Sequence, residues 1–330
     1  MKTLFKIFFL TAVTAFLLCM VSCEDPQNNT TPAEDNTTQT GIGLPSDEEI
    51  AAFTFDKVEF PKGINWAGLR CSPYGFEQDG TEQAFPTTTQ FNTYASKMAA
   101  NYPGSKGTFV WIVGVIDEEH NCSLNFPVSN KNLKNIVGSN RDENTNFLKM
   151  AEKNGYDVWL QVESGNADLF ELAWLILKKY KKYSCVKGFG VDVEWYKPEG
   201  TRGKGTKISD ATAEKLNKLV KMIDPSYTVF FKHWMTNYMP PSYRSDLIFV
   251  TDSQGLHSLD NYRESMNEWA TKFSKNPVFL QIGYDSDEEK VWGSLENPTK
   301  DLGTYISQDF ITKNPIGIIW VDFTLRRALK

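Results

Sequence analysis

The chain has few of the residues that metal and redox sites use. Of its 330 residues, three are histidine and five are cysteine, and the sequence contains no Cys-X-X-Cys pair. No zinc or thiol-redox motif is therefore present, and we expect no cofactor. An excess of basic residues is also absent, since the formal net charge is −6, which argues against a nucleic-acid partner.

The N-terminal 23 residues have the pattern of an export signal. Lys2 and Lys6 precede an apolar run over residues 7–21, which is shorter than the roughly 20 residues of a comfortable membrane span. The sequence Met-Val-Ser-Cys at 20–23 resembles a bacterial lipobox, in which Cys23 carries the lipid and becomes the mature N-terminus. The resemblance implies a lipoprotein of the bacterial cell envelope, anchored in a membrane and facing the cell surface or the periplasm. Met in place of the usual Leu leaves ordinary signal cleavage open.

Residues 24–43 read EDPQNNTTPAEDNTTQTGIG and have almost no apolar side chains. Such a segment cannot bury a core, so we interpret 24–57 as a disordered tether and lead-in, and 58–330 as the folded domain. Acidic residues directly after the lipid cysteine resemble export signals of surface lipoproteins in Bacteroidetes-like bacteria. Outside the signal, Cys71, Cys122 and Cys185 remain; one disulfide is compatible with export, and its pairing stays open.

From about residue 60, short apolar runs alternate with helical patterns, which is typical of βα units and a parallel sheet. A Gly-rich phosphate loop does not follow the first run, so an open dinucleotide-binding sheet is disfavoured. Eight strands in about 270 residues predict one closed (β/α)₈ barrel, the TIM barrel. The predicted strands are 64–71, 108–116, 157–163, 186–195, 228–234, 246–252, 278–284 and 317–323.

The active site of such a barrel lies at the carboxyl ends of its strands. Side chains alternate along a strand, so Asp192 and Glu194 are predicted to share one face, as are Trp320 and Asp322. Crowded carboxylates raise one another's pKa, which a general acid needs. A purely structural interpretation, an arginine–carboxylate network that braces the strands, stays open. The candidates are Glu194 and Asp192 for catalysis and Arg70, Glu163, Asp252, Gln281, Tyr284, Trp320 and Asp322 for substrate binding.

The fourth predicted strand carries a recognisable motif. Its segment 188–195, GFGVDVEW, resembles the DGxDxDxE motif of family 18 glycoside hydrolases, the chitinases and endo-β-N-acetylglucosaminidases. The resemblance implies that Glu194 is the general acid and that Asp192 orients the substrate's N-acetyl group, which attacks the anomeric carbon. It also implies that Trp320, on the eighth strand, lies under the scissile sugar, and that the partner is a carbohydrate.

The chain departs from the family pattern at several positions. Lys187 and Gly190 occupy the earlier acidic positions of the motif, and Thr251 precedes Asp252 where the family has a Tyr-Asp pair. Two other hypotheses therefore stay open. One is a non-catalytic glycan-binding lipoprotein that uses tryptophans as sugar platforms, and the other is a metal-dependent barrel enzyme. Their candidate residues are Trp195, Trp234 and Trp320 for the first and Glu163, Glu194, Asp252 and His233 for the second.

Overall fold

A computed structural model describes residues 41–80, 83–130, 132–198 and 204–329 of the chain. The predicted signal, its Cys23 and the first part of the predicted tether lie outside these residues.

Eight parallel strands form one closed barrel, and the predicted (β/α)₈ architecture is confirmed. Around the barrel the order is β1-β2-β5-β6-β7-β8-β9-β10, and β10 pairs again with β1. The strands are β1 (Gly63–Cys71), β2 (Lys106–Ile116), β3 (Cys122–Leu124), β4 (Ile136–Gly138), β5 (Asp157–Val162), β6 (Val186–Asp192), β7 (Thr228–His233), β8 (Ile248–Thr251), β9 (Val278–Ile282) and β10 (Pro315–Val321). The short strands β3 and β4, which the sequence did not predict, extend β2 outside the barrel.

The helices are α1 (Asp47–Ala52), α2 (Thr88–Asn101), α3 (Thr145–Lys153), α4 (Leu169–Tyr180), α5 (Asp210–Ile223), α6 (Leu259–Lys272), α7 (Pro298–Ser307) and α8 (Leu325–Ala328). Helix α1 precedes β1, whereas the other helices follow barrel strands and cover the outside of the sheet; β7 is followed only by a 3₁₀ turn (Thr236–Tyr238). Local signals set their starts: Thr87 and Gln90 form a capping box before α2, and the Asp168 carboxylate accepts two backbone N–H groups at the start of α4. The helices of the described residues include none that is long and apolar enough to cross a membrane.

The end of the predicted lead-in is part of the folded domain. Residues 41–57 include α1, which begins at a capping box between Ser46 and Glu49. Ile50 of this helix is buried, and the Lys218 ammonium donates to the Ala51 carbonyl at 2.9 Å. Ile50 packs with Trp174 of α4 and Leu219 of α5, so this short helix is docked on the helical layer.

The core has two apolar layers, one inside the barrel and one between the strands and the helices. The mouth of the barrel is the end at which the carboxyl ends of its strands lie. Inside the barrel, aromatic and branched side chains fill the lower half and leave no open channel, as is usual for this fold. These interior side chains are Trp66, Val110, Trp159, Phe230, Ile248, Val250, Phe279 and Ile319. A larger apolar layer lies between the strands and the helices. The three cysteines of the domain, Cys71, Cys122 and Cys185, are buried free thiols.

Candidate active site

A buried lysine joins three of the carboxylates at the barrel mouth. Lys232, near the end of β7, places its Nζ 2.9 Å from Asp192, 2.8 Å from Glu194 and 2.6 Å from Asp252. The Asp192 and Asp252 side chains are almost completely buried, whereas the Glu194 side chain is 15% exposed. Glu194 is therefore the carboxyl of this cluster that a substrate in solvent reaches most readily.

Asp192 and Glu194 meet at Lys232 for a reason other than strand alternation. The prediction that the fourth strand runs to Trp195 is wrong: β6 ends at Asp192, and Val193–Trp195 form one turn of 3₁₀ helix. This turn carries Glu194 around to the same ammonium that Asp192 contacts. The two carboxylates are thus brought together by a tight turn at the strand end.

The pKa values of the three carboxyls around Lys232 are shifted in different directions. Burial, together with the charges of Asp252 and Asp192, raises the pKa of Glu194 well above its ordinary value, although Lys232 opposes the shift. Burial also raises the pKa of Asp192. At Asp252, burial is outweighed by Lys232 and by a hydrogen bond with Glu194, so its pKa is lowered. The arrangement therefore favours a proton on Glu194, donated to the Asp252 carboxylate.

A second cluster of charged side chains, formed by Arg70, Asp322 and Glu163, lies beside the Lys232 cluster. Arg70 donates to Asp322 at 3.0 Å and to the Tyr74 hydroxyl at 2.6 Å, and that hydroxyl donates to Glu163 at 2.5 Å. Asp322 also accepts the backbone N–H and the hydroxyl of Ser72 and is completely buried. These contacts tie the end of β1 to the end of β10, so Arg70 and Asp322 hold the mouth together.

Glu163 lies between the Arg70 and Lys232 clusters and interacts with charges of both. It lies 3.8 Å from Arg70, and burial and the charge of Asp192 raise its pKa. Gln161, two residues earlier on β5, donates to Asp192 at 3.3 Å. Gln161 and Glu163 therefore both contact charged groups at the mouth.

Several buried acceptors at the mouth have no hydrogen-bond donor among the described residues. They include Asp192 Oδ1, Gln161 Oε1 and Gln281 Oε1. A buried polar atom without a partner costs about 1–3 kcal/mol, so a ligand or water donor is expected to satisfy them. Tyr284 adds a donor, because its hydroxyl accepts from Gln281 and donates to no described residue. The mouth is thus suited to a ligand with several O–H or N–H groups.

Trp320 does not lie at the mouth, and its predicted place under the sugar is wrong. Its side chain is 0% exposed and belongs to the apolar layer between strands and helices. The ring packs edge-on against Trp292, and Nε1 donates to Thr324 at 2.8 Å. Asp322 reaches Arg70 because β10 ends at Val321 and the chain turns, so the alternation assumed for 320–322 does not continue.

An exposed tryptophan stands at the end of β7 instead. Trp234 is 42% exposed and stacks on His233, whose other face stacks on Tyr238 at 4.1 Å between ring centroids. His233 also contacts the Lys204 carbonyl and accepts from the Met235 N–H. The stack holds the Trp234 ring in place while leaving it partly open to solvent, as a sugar platform requires.

These contacts disfavour the metal-dependent alternative. Both nitrogens of His233 are engaged by the backbone, one by the Lys204 carbonyl and the other by the Met235 N–H. The cationic position among Asp192, Glu194 and Asp252 is occupied by Lys232. Within the described ranges, no group of three or more His, Cys, Asp or Glu side chains is arranged to hold a metal ion.

Gly190 explains one departure from the family 18 motif. A Cβ atom at this position would lie 2.0 Å from the ring of Phe230. The space that an acidic side chain would need is therefore filled by an interior aromatic residue of β7. Lys232, on the inner face of the same strand, supplies the polar contact to Asp192 from the other side.

Comparisons with known proteins identify remote structural similarities only. No family model matches the chain, and a search of curated proteins found no match. Among solved structures, the chain is similar to β-glucuronidases of Parabacteroides merdae (11% identity, TM-score 0.44) and Bacteroides uniformis (11%, 0.45). These alignments cover 82% and 81% of the chain and 34% of each glucuronidase, so the chain spans about one third of their length. A β-mannanase of Streptomyces thermolilacinus has 11% identity and a TM-score of 0.42, over 83% of the chain and 90% of the mannanase.

Proposed function

We propose that the chain hydrolyses glycosidic bonds of a carbohydrate and that Glu194 donates the proton to the leaving oxygen. The observation that carries this proposal is the position of Glu194: its side chain is 15% exposed and is the most open of the three carboxyls around Lys232. Burial and the charges of Asp252 and Asp192 raise the pKa of Glu194, which favours the protonated carboxyl. A general acid must hold its proton until the bond breaks, and a raised carboxyl pKa serves that purpose.

Asp192 has a contact available for the substrate. Its Oδ2 accepts from Lys232 and Gln161, whereas Oδ1 is buried without a donor among the described residues. An acetamido N–H of the substrate would fill this vacancy, which is the role that the family 18 resemblance implies. Lys232 and Gln161 would hold the Asp192 carboxylate in place for that contact.

The reaction would then proceed in two steps. The acetamido oxygen attacks the anomeric carbon while the glycosidic C–O bond breaks and the Glu194 proton moves to the leaving oxygen. Water next adds to the anomeric carbon, opens the cyclic intermediate and returns a proton to the Glu194 carboxylate. Asp252 accepts the Glu194 hydrogen bond before the first step and, with Lys232, sets how firmly the proton is held.

The test is hydrolysis by the full chain of chitooligosaccharides, N-glycans and aryl glycosides. The Glu194→Gln variant keeps the shape of the side chain but has no acidic proton, and we expect it to lose about 10²–10⁴-fold in kcat/KM. Glu214→Gln is the matched control, because Glu214 is exposed on α5, where it pairs with Lys218. Hydrolysis that persists in Glu194→Gln would overturn the assignment. Sugar binding without turnover in the unmodified chain would favour a glycan-binding protein.

A further inference from the structure

A second concave site lies on the same face of the barrel, next to the charged groups. It is a cavity of about 310 Å³ lined by the carboxyl end of β1, by Trp111 and Ile112 in the middle of β2, and by the amino-terminal turns of α2 and α3. This volume is at the lower end of the range for small-molecule sites and is suited to a single ring.

Ser72 connects this cavity to the candidate active site. Ser72 lines the cavity. Its backbone N–H and its hydroxyl donate to the Asp322 carboxylate, which also accepts from Arg70. Ser72 therefore lies between the cavity and the Arg70–Asp322 group, which Tyr74 and Glu163 extend across the mouth. A ligand longer than one sugar unit could extend from the mouth over Ser72 into the cavity.

The lining combines aromatic and polar side chains. Phe85 is 41% exposed and packs edge-on against Phe91, and Trp111 stacks on Phe147 at 3.6 Å between ring centroids. The lining also includes the amide of Asn146 and the carboxylates of Glu77 and Glu143. A pyranose ring likewise combines an apolar face and a polar edge.

The charge of the lining restricts the sugar. Two of the lining residues, Glu77 and Glu143, are acidic, and none of the described lining residues is Lys or Arg. An anionic sugar would meet like charge with no cation to pair it, which costs affinity. The lining therefore favours an uncharged sugar over a uronic acid or a sulfated sugar.

We propose that this cavity binds a neutral sugar residue of an oligosaccharide whose scissile bond lies at Glu194. The proposal rests on the proposed glycosidase function and adds to it an extended, neutral substrate. It predicts that affinity rises with chain length until the cavity is filled, and that the increase depends on Phe85.

Binding is measured by calorimetry on the full chain carrying Glu194→Gln, so that no probe is hydrolysed. The probes are chitohexaose, laminarihexaose and mannohexaose, their disaccharides, and hexagalacturonate as the anionic probe. We expect one neutral hexasaccharide to bind, Phe85→Ala to weaken it about tenfold, and its disaccharide to bind equally well in both. Asn146→Trp, on the exposed first turn of α3, should have the same effect by filling the cavity. Val137→Ala is the matched control, because it removes another exposed apolar side chain that lies outside the cavity lining.

The outcomes separate the two proposals. Loss of hexasaccharide affinity in Phe85→Ala and Asn146→Trp supports the cavity site, even when the unmodified chain hydrolyses nothing. Hydrolysis with equal hexasaccharide affinity in all variants supports the glycosidase and overturns the cavity site. Binding of hexagalacturonate as tight as that of the neutral probes, or no binding of any probe, also overturns it.

Discussion

Lys232 Nζ lies 2.8 Å from Glu194 and 2.6 Å from Asp252, so these two carboxyls share one ammonium. With Asp192 the same ammonium faces three carboxyls in a nearly closed site. Buried ion clusters are costly unless every charge is paired, and here the proton favoured on Glu194 reduces the excess of negative charge.

The first prediction concerns the stability that Lys232 provides. Lys232→Met leaves Asp192 and Asp252 without their cation, and we expect the free energy of unfolding at neutral pH to fall by about 3–5 kcal/mol. The loss should shrink as the pH falls into the range where carboxyls protonate. Denaturant titration at neutral and acidic pH measures both effects.

Lys215→Met is the matched control for Lys232. Lys215 pairs with Asp47, whose side chain is 77% exposed, so its loss should cost at most about 1 kcal/mol. Equal losses in the two variants would mean that the buried cluster stabilises the fold no more than a surface pair does.

The second prediction concerns the pH dependence of hydrolysis. Because Glu194 must be protonated, kcat/KM should be lost as the pH rises through its raised pKa. Asp252→Asn removes a negative charge and a charged hydrogen-bond acceptor that raise this pKa, so the basic limb should move to lower pH. Asp309→Asn, at the part-exposed pair with Arg263, should leave the limb unchanged. A basic limb that stays in place in Asp252→Asn would contradict the coupling.

The third prediction separates the two tryptophans. Trp234→Ala removes the exposed ring at the end of β7 and should raise KM or Kd for the sugar about tenfold, with little change in stability. Trp320→Phe should leave KM unchanged and lower stability by about 1 kcal/mol, since it removes the hydrogen bond to Thr324. If Trp320→Phe raises KM and Trp234→Ala does not, the sugar platform is Trp320 on the eighth barrel strand.

The barrel could be predicted from the sequence because its signal is periodic. All eight predicted strands are present, with ends that agree within three residues. Apolar runs and helix faces repeat along the chain, so no single residue decides the fold. The β3 and β4 strands were not predicted because three residues are too few to carry an alternating pattern.

The site was harder to predict because each side chain depends on where its strand ends. Alternation failed beyond Asp192 and beyond Val321, where the chain turns out of the sheet. Lys232 was missed, although its place two residues after the inward-facing Phe230 could have identified it as a buried charge. Tyr74 was missed because it lies in a loop with no periodic pattern.

The fourth prediction concerns the N-terminal segment. The lipobox-like sequence at 20–23 predicts that the chain expressed in bacteria takes up a labelled fatty acid and fractionates with membranes. Cys23→Ser should abolish both, whereas Cys19→Ser, four residues earlier in the apolar run, should change neither. Cleavage without lipid uptake in the unmodified chain would identify an ordinary signal peptide instead.

The fifth prediction concerns Asp287, a buried carboxyl away from the Lys232 cluster. Its Oδ1 accepts the Leu256 N–H at 3.0 Å, while Oδ2 is buried without a partner among the described residues, and burial raises its pKa to about 6. Because this folded-state value exceeds the unfolded value of about 4, the folded chain binds the proton more tightly. The ionisation of Asp287 should therefore lower the free energy of unfolding as the pH rises from about 4 to 6. Asp287→Asn should match the unmodified chain near pH 4 and exceed it by about 2 kcal/mol near pH 7, by denaturant titration. Glu289→Gln, on an exposed neighbour, should show no such pH-dependent gain, and an equal gain in both variants would assign the effect to net charge instead of burial.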